Sequence, residues 1–258
     1  PTFFFFFLNT SLIYAYICSH QHKPIMLKSP DVIRNIFSIV SNSMECLKLL
    51  SESELKFLTD QMVDVYYQKG EMICKQGTFA SHVMIIQEGL VKSFLEWNGE
   101  NLILQIFAPV NIIGLSTLFE GNTVFQHSVQ AYIDSKVSLI EISAFKQVMN
   151  SNAQFSARMV SLLAEQSAII NGRFYCLTKK QTYGRLADVI ICLANRIYKT
   201  QKFPLHLSRK DFAELSGMSI ESIARIMTKF KGDGLIEINS DFVEILDYEK
   251  LNMISQKG

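Results

Sequence analysis

Apolar positions change period along this chain, and each change marks a different kind of element. Over residues 29–40, and again over 45–61, apolar side chains such as Ile33, Ile36, Phe37, Leu55 and Leu58 recur at helical spacing, which predicts two lead-in helices. From 63 to 142 the pattern becomes a series of short β-rich runs: VDVYY, EMICKQ, HVMIIQEG, LVKSFLEW, NLILQIFA, SVQAYI and KVSLIEIS. Runs of this length, evenly spaced and separated by turn residues, predict a sandwich or roll. Asn98-Gly99 between two of them is a tight-hairpin signal.

Helical spacing returns after Ser143. Within 152–177, Phe155, Met159, Leu162, Gln166, Ile169, Arg173 and Cys176 step by alternating four and three, with Leu163 and Ile170 flanking the row. A mostly apolar heptad row predicts a coiled-coil contact between two chains. The alternative is that the same row packs the helix onto the roll of its own chain.

The stretch SRKDFAELSGMSIESIARIMTKFKGDGLIEI, 208–238, is the most informative. Ser208 is placed as an N-cap, Phe212, Ala213 and Leu215 form an apolar face, and Gly217 permits a sharp turn. A second helix follows, capped by Ser219, with Ile220, Ile223, Ile226, Met227 and Phe230 at helical spacing, and Gly232 with Gly234 at its end. Two helices joined by a tight turn are the grammar of a DNA-reading unit, with Glu221, Ser222, Arg225 and Lys229 left on the polar face. A Glu four residues before an Arg is also the pattern of an ordinary surface ion pair. The following LIEINSDFVEIL alternates apolar residues around Asn239-Ser240-Asp241, a hairpin that would form a wing.

These residues carry a resemblance. GMSIESIARIM, preceded by LSRKDFAELS and followed by GLIEI, resembles the winged helix-turn-helix of the Crp/Fnr family of bacterial transcription regulators. TYGRLADVIICLAN, 182–195, resembles the first helix of that family's DNA-binding domain, and Lys69-Gly70-Glu71, Gly77 and Glu88-Gly89 resemble the glycine-punctuated turns of its sensor domain. The likeness spans about residues 42–247. It implies an α+β chain: a jelly-roll sensor domain over 26–150, a dimerisation helix over 151–178 and a winged helix-turn-helix domain over 179–258. It further implies a cytoplasmic homodimer that binds double-stranded, palindromic promoter DNA and works with RNA polymerase.

Carried over position by position, the resemblance makes Glu221 and Arg225 base readers, because a carboxylate accepts from cytosine N4 and a guanidinium bridges guanine O6 and N7. Ser208, Arg209, Lys210, Ser219, Ser222 and Lys229 become phosphate contacts. Ile220 and Ala224 depart from the arginine and serine that individual members carry there, which leaves the operator sequence open. The dimer interface would comprise Phe155, Met159, Leu162, Gln166, Ile169 and Arg173. The effector pocket would include Gly114, Leu115, Phe125 and Gln126, which stand where cyclic-nucleotide binders carry Gly-Glu and Arg-Ser or Arg-Thr. An apolar residue cannot neutralise a cyclic phosphate or bond a ribose hydroxyl, so cyclic AMP is disfavoured. The cysteine cluster of an iron-sulfur centre is missing, so that cofactor is disfavoured too. Haem stays open because His82 and His127 sit in the roll among apolar neighbours, where a lone histidine is more often a core or surface residue than a ligand.

Composition sharpens this picture. The chain has 258 residues and a net charge of +1, but residues 1–149 carry 10 basic against 13 acidic side chains while 150–258 carry 15 against 11. The basic excess falls on the DNA-reading half, as phosphate attraction requires. Five scattered cysteines, Cys18, Cys46, Cys74, Cys176 and Cys192, lack the spacing of a zinc site or a disulfide framework and suit a reducing compartment. No metal site, HExxH, GxSxG or phosphate loop is present in the sequence, and enzymatic activity is not expected. The competing class is an effector-binding interaction module with a degenerate DNA head. Residues 1–25 lack a starting Met and a basic n-region, and Phe3 to Phe7 is what a T-rich DNA stretch encodes. They read as upstream sequence translated in frame, with Met26 as the start and no membrane anchor expected.

Overall fold

The computed structural model describes residues 43–258; the leader over 1–25, the helix expected at 29–40 and Cys18 lie outside the described residues. The helical pattern over 45–61 is realised in two pieces, a 3-10 helix Ser43–Leu49 and helix α1, Glu52–Asp60. Ser51 makes the break. Its hydroxyl accepts the Glu54 N–H at 3.3 Å while the Glu54 carboxylate accepts the Ser51 N–H at 2.9 Å, a reciprocal cap that starts a new helix.

The seven expected strands are present as β1 (Met62–Tyr67), β2 (Met72–Cys74), β3 (His82–Glu88), β4 (Val91–Trp97), β5 (Glu100–Phe107), β7 (Ser128–Ala131) and β8 (Ser135–Glu141). An eighth, β6 (Ile112–Ile113), pairs with β3 and was too short to read from periodicity. They form two antiparallel four-stranded sheets ordered β1-β8-β3-β6 and β2-β7-β4-β5, a jelly roll. Strand β3 is apolar without alternation because both its faces are covered: Val83 and Ile85 lie under the helices, Met84 and Ile86 between the sheets. At the β4–β5 turn, Asn98 and Gly99 have φ of 50° and 80°, the two positive values that a tight type I′ hairpin demands.

Helix α2 (Ile142–Ser151) leads into α3 (Ala153–Lys179), separated by Asn152, whose extended backbone breaks the helix and whose side chain accepts the Phe155 N–H at 2.9 Å. Here one expectation is corrected. The heptad row of α3 faces its own chain: Phe155, Met159 and Leu162 are fully buried beside Phe145 and Leu58, and Ile169 is 3% exposed. Half-buried Gln166 donates to the Ile112 carbonyl at 3.2 Å and Arg173 to the Ile103 carbonyl at 2.7 Å. Side chains already committed to the roll offer no surface to a second chain. The outward face of α3 carries a different row, Ala157, Val160, Ala164, Ser167, Asn171 and Phe174, with Val160 64% and Phe174 69% exposed.

The C-terminal part comprises α4 (Thr182–Cys192), a wide π-type turn Leu193–Tyr198, β9 (Lys202–Pro204), α5 (Arg209–Ser216), α6 (Ile220–Gly232), β10 (Ile236–Ile238), β11 (Phe242–Ile245) and α7 (Tyr248–Lys257). Strands β10, β11 and β9 form a small sheet in that order. Two elements escaped the sequence, β9 because it is three residues ending in Pro, and α7, which Asp247 caps by accepting the Lys250 N–H at 3.0 Å. Helix α7 is tied to α4 by a buried cluster in which Lys180 lies 2.6 Å from Asp188, and Ser255 also donates to Asp188. The core of this domain is continuous with the outer face of the second sheet, where Leu90, Phe94, Ile103 and Ile106 pack with Leu186, Ile190, Phe212 and Leu215.

Candidate nucleic-acid interface

Helix α5 begins at Ser208 with a reciprocal cap: the Asp211 N–H donates to the Ser208 hydroxyl at 3.2 Å, and Asp211 accepts both the Ser208 N–H at 2.9 Å and the hydroxyl at 2.6 Å. Gly217 ends the helix in the left-handed region at φ 59°, which only glycine adopts without strain, and its carbonyl accepts from Arg185 of α4 at 3.3 Å. Arg185 also donates to the Lys180 carbonyl at 2.9 Å. It thereby fixes the turn between the two helices, a positioning role that its place in the TYGRLAD motif could have signalled.

Ser219 restarts the chain as α6 by accepting the Ser222 N–H at 3.2 Å. Ile223, Ile226, Met227 and Phe230 are buried beneath it, so the opposite face is presented to solvent. Glu221 and Arg225 are exposed one turn apart on that face. Among the ion pairs of the described residues none joins them. The ordinary surface-pair reading is therefore not realised, and the Arg225 guanidinium has no ion-pair partner among the described residues. The Glu221 carboxyl is held below its usual pKa, chiefly by a backbone N–H at the helix start, so it is ionised at neutral pH.

Around these two lie the phosphate candidates. Arg209 and Lys210 are exposed at the first turn of α5, where free N–H groups favour anions. Lys210 lies 3.8 Å from Glu214, and Lys229 lies 2.9 Å from Asp233. Both lysines are well exposed, so these pairs are weak and exchange readily for phosphate. Ser208 is a correction: its N–H and hydroxyl both donate to Asp211, leaving no donor for phosphate, and its role is to cap α5. The Ser219 hydroxyl donates to that of Ser222 at 3.2 Å, which frees the Ser222 proton for an outside acceptor. The wing forms as expected, with Asn239 Oδ1 accepting the N–H groups of Asp241 and Phe242 at 2.8 and 3.0 Å. A groove between α6 and the wing is lined by Arg209, Thr228, Lys231, Asn239 and Ser240. Sequence reasoning passed over Lys231, whose ammonium lies 2.7 Å from Glu237 of the wing.

The expected effector residues stand in different surroundings. Leu115 is buried in the core beneath the helices, Phe125 in the separate core between the sheets, and Gln126 is exposed, bonded to Asn122 at 2.7 Å. Gly114 adopts φ 94° and starts a short turn. His82 stands on β3 of one sheet, bonded to Ser81 at 2.7 Å, while His127 precedes β7 of the other, its pKa lowered by burial.

The family model described as cyclic nucleotide-binding domain matches residues 64–152, and that described as Crp-like helix-turn-helix domain matches 184–254. The chain is 26% identical over 208 residues to electron transport regulator A of Shewanella oneidensis, covering 76% of this chain and 82% of that one. It is 25% identical over 185 residues to the transcriptional activator protein Anr of Pseudomonas aeruginosa, covering 70% and 75% respectively. The structure of FixK2 from Bradyrhizobium japonicum superposes with a TM-score of 0.69 at 18% identity, covering 75% of this chain and 96% of that one.

Proposed function

We propose, from the premise that this chain belongs to the Crp/Fnr family of transcription regulators and carries a helix-turn-helix DNA-binding domain, that it reads a palindromic promoter site as a homodimer under control of a signal sensed by the jelly roll. Helix α6 enters the major groove, Glu221 accepts from cytosine, and Arg225 bridges the acceptors of guanine. Arg209, Lys210, Ser219, Ser222 and Lys229 hold the flanking phosphates and set the register. The observation that carries this reading is the pair Glu221 and Arg225, exposed on one face and engaged neither with each other nor with neighbouring charges. A degenerate head would have no reason to keep that face free.

The second chain docks on the outward row of α3. Ala157, Ala164 and Ser167 allow close helix approach, while Val160 and Phe174 supply exposed apolar area that a partner helix would cover. A two-fold axis along α3 then spaces the two α6 helices for half-sites one DNA turn apart. An effector shifts their orientation only by binding one arrangement better than the other. RNA polymerase as a partner and the cytoplasm as location accompany the same reading.

Selection of bound duplexes from fragmented genomic DNA tests it. Enrichment of a two-fold-symmetric site is the expected result. Binding without any sequence preference, with and without cell metabolites, would overturn the assignment of α6.

A further inference from the structure

Between the outer strand β5, α3 and α4 lies a cavity of about 50 Å³, walled by side chains of all three. Its lining is apolar, with Leu104, Ile106, Ile169 and Ile197 among its residues, apart from a few polar groups. Two of these are guanidiniums, Arg173 from α3 and Arg196 from the wide turn after α4. Both have a buried Nε–H without a hydrogen-bond partner. Both line the same cavity, as does Cys192, whose thiol Sγ accepts from Arg196 Nη1 at 3.9 Å.

The backbone around the cavity is irregular on both sides. Ser93 pairs with Gln105 and Phe94 with Ile103, so Leu104 is the extra residue of a β-bulge, and Arg173 takes the Ile103 carbonyl at 2.7 Å. Opposite, Arg196 sits in a π-type turn. Bulges and π-turns re-aim side chains and concentrate at sites that hold something. Burying a guanidinium with unsatisfied donors is costly, and burial lowers the Arg173 pKa. An anion offering planar oxygens would satisfy both donors at once.

We propose that this cavity binds a small monocarboxylate with a short apolar body, its oxygens accepting from Arg173 and Arg196 Nε–H. The apolar walls select the body. The volume sets its size, well below the roughly 300–1,000 Å³ of pockets for larger ligands. Asp188 also lines the cavity, but its charge is met by Lys180 at 2.6 Å, which leaves the two guanidiniums to receive the carboxylate. Walls drawn from the roll, the long helix and the DNA domain mean that occupancy favours the arrangement in which these three are packed together.

Calorimetric titration of the full chain with straight-chain monocarboxylates and their primary amides decides the matter without reference to DNA. Saturable binding is expected, tightest for a chain of a few carbons, with each amide weaker by about tenfold or more because it lacks the charge. Arg196→Gln, verified as folded by circular dichroism, is expected to lose a similar factor. Absence of saturable binding by every acid, or amides that bind as tightly as acids, would overturn the site. Unchanged affinity in a folded Arg196→Gln protein would do the same. If the variant fails to fold, the acid-to-amide comparison still decides.

Discussion

The ammonium of Lys92 on β4 lies 2.9 Å from Asp211 on α5, a residue 119 positions away, with both side chains largely buried. Glu214 lies 3.6 Å from the same ammonium, and the Tyr132 ring faces it at 5.0 Å. Asp211 is also the residue that closes the cap of α5 with Ser208. One carboxylate therefore starts the first helix of the DNA-reading unit and anchors that unit to the jelly roll.

Lys92→Ala leaves the largely buried Asp211 without its counter-charge and Glu214 with only the exposed Lys210 at 3.8 Å. The expected cost is about 3–5 kcal/mol, the penalty of breaking a buried pair. Thermal unfolding should report it, and hydrogen exchange should report faster opening of the first turn of α5. An unchanged melting temperature would show that the contact does not hold the two parts together.

Acid should release the same clasp. Burial acts to raise the Asp211 pKa, but the Ser208 and Lys92 donors outweigh it and hold the carboxyl below its usual value. A depressed folded pKa contributes stability that is fully present above the ordinary carboxylate range, about pH 4, and is lost as pH falls through the folded value. In the Asp211→Asn variant this part of the acid-induced loss of stability is expected to disappear from a pH titration of unfolding free energy.

Arg225→Ala is expected to cost about 1–3 kcal/mol in DNA binding and to relax preference at one base position in each half-site. Lys210→Ala should instead weaken all sequences alike and reduce the salt dependence of binding. Binding selections on the two variants separate these outcomes.

Gly89 has φ 94°, and a Cβ placed there would lie 2.6 Å from the Asp134 carbonyl and the Ser135 backbone. Gly89→Ala meets both backbone strain and overpacking, each about 1–3 kcal/mol, for a total near 2–6 kcal/mol. Denaturant unfolding is the measurement. Gly99→Ala, at φ 80° with nothing near its Cβ position, should lose only the strain part.

The two faces of α3 should respond differently to substitution. Phe174→Glu is expected to yield a folded monomer by light scattering, whereas Leu162→Ala should destabilise the fold by about 2–5 kcal/mol. Dimers that persist in Phe174→Glu would place the interface elsewhere.

Local signals in the sequence were enough for seven of the eight strands of the roll, the Asn98-Gly99 turn, the two helices around Gly217 and the wing, because each depends on side-chain alternation, capping or positive φ within a few residues. The exposure of Glu221 and Arg225, the pair proposed to read bases, was legible for the same reason: an apolar stripe on α6 dictates which face remains outside. The heptad row of α3 was legible as a buried row but not as to what buries it, since periodicity records only that one face avoids water. Only the tertiary structure decided that Phe155, Met159 and Leu162 cover the roll and that Val160 and Phe174 face outward. It also decided that Leu115 and Phe125 belong to separate cores, that Lys92 reaches Asp211, and that Arg173 and Arg196 share one cavity. Those relationships join residues far apart in the chain, and no local pattern of hydrophobicity encodes which distant surfaces meet.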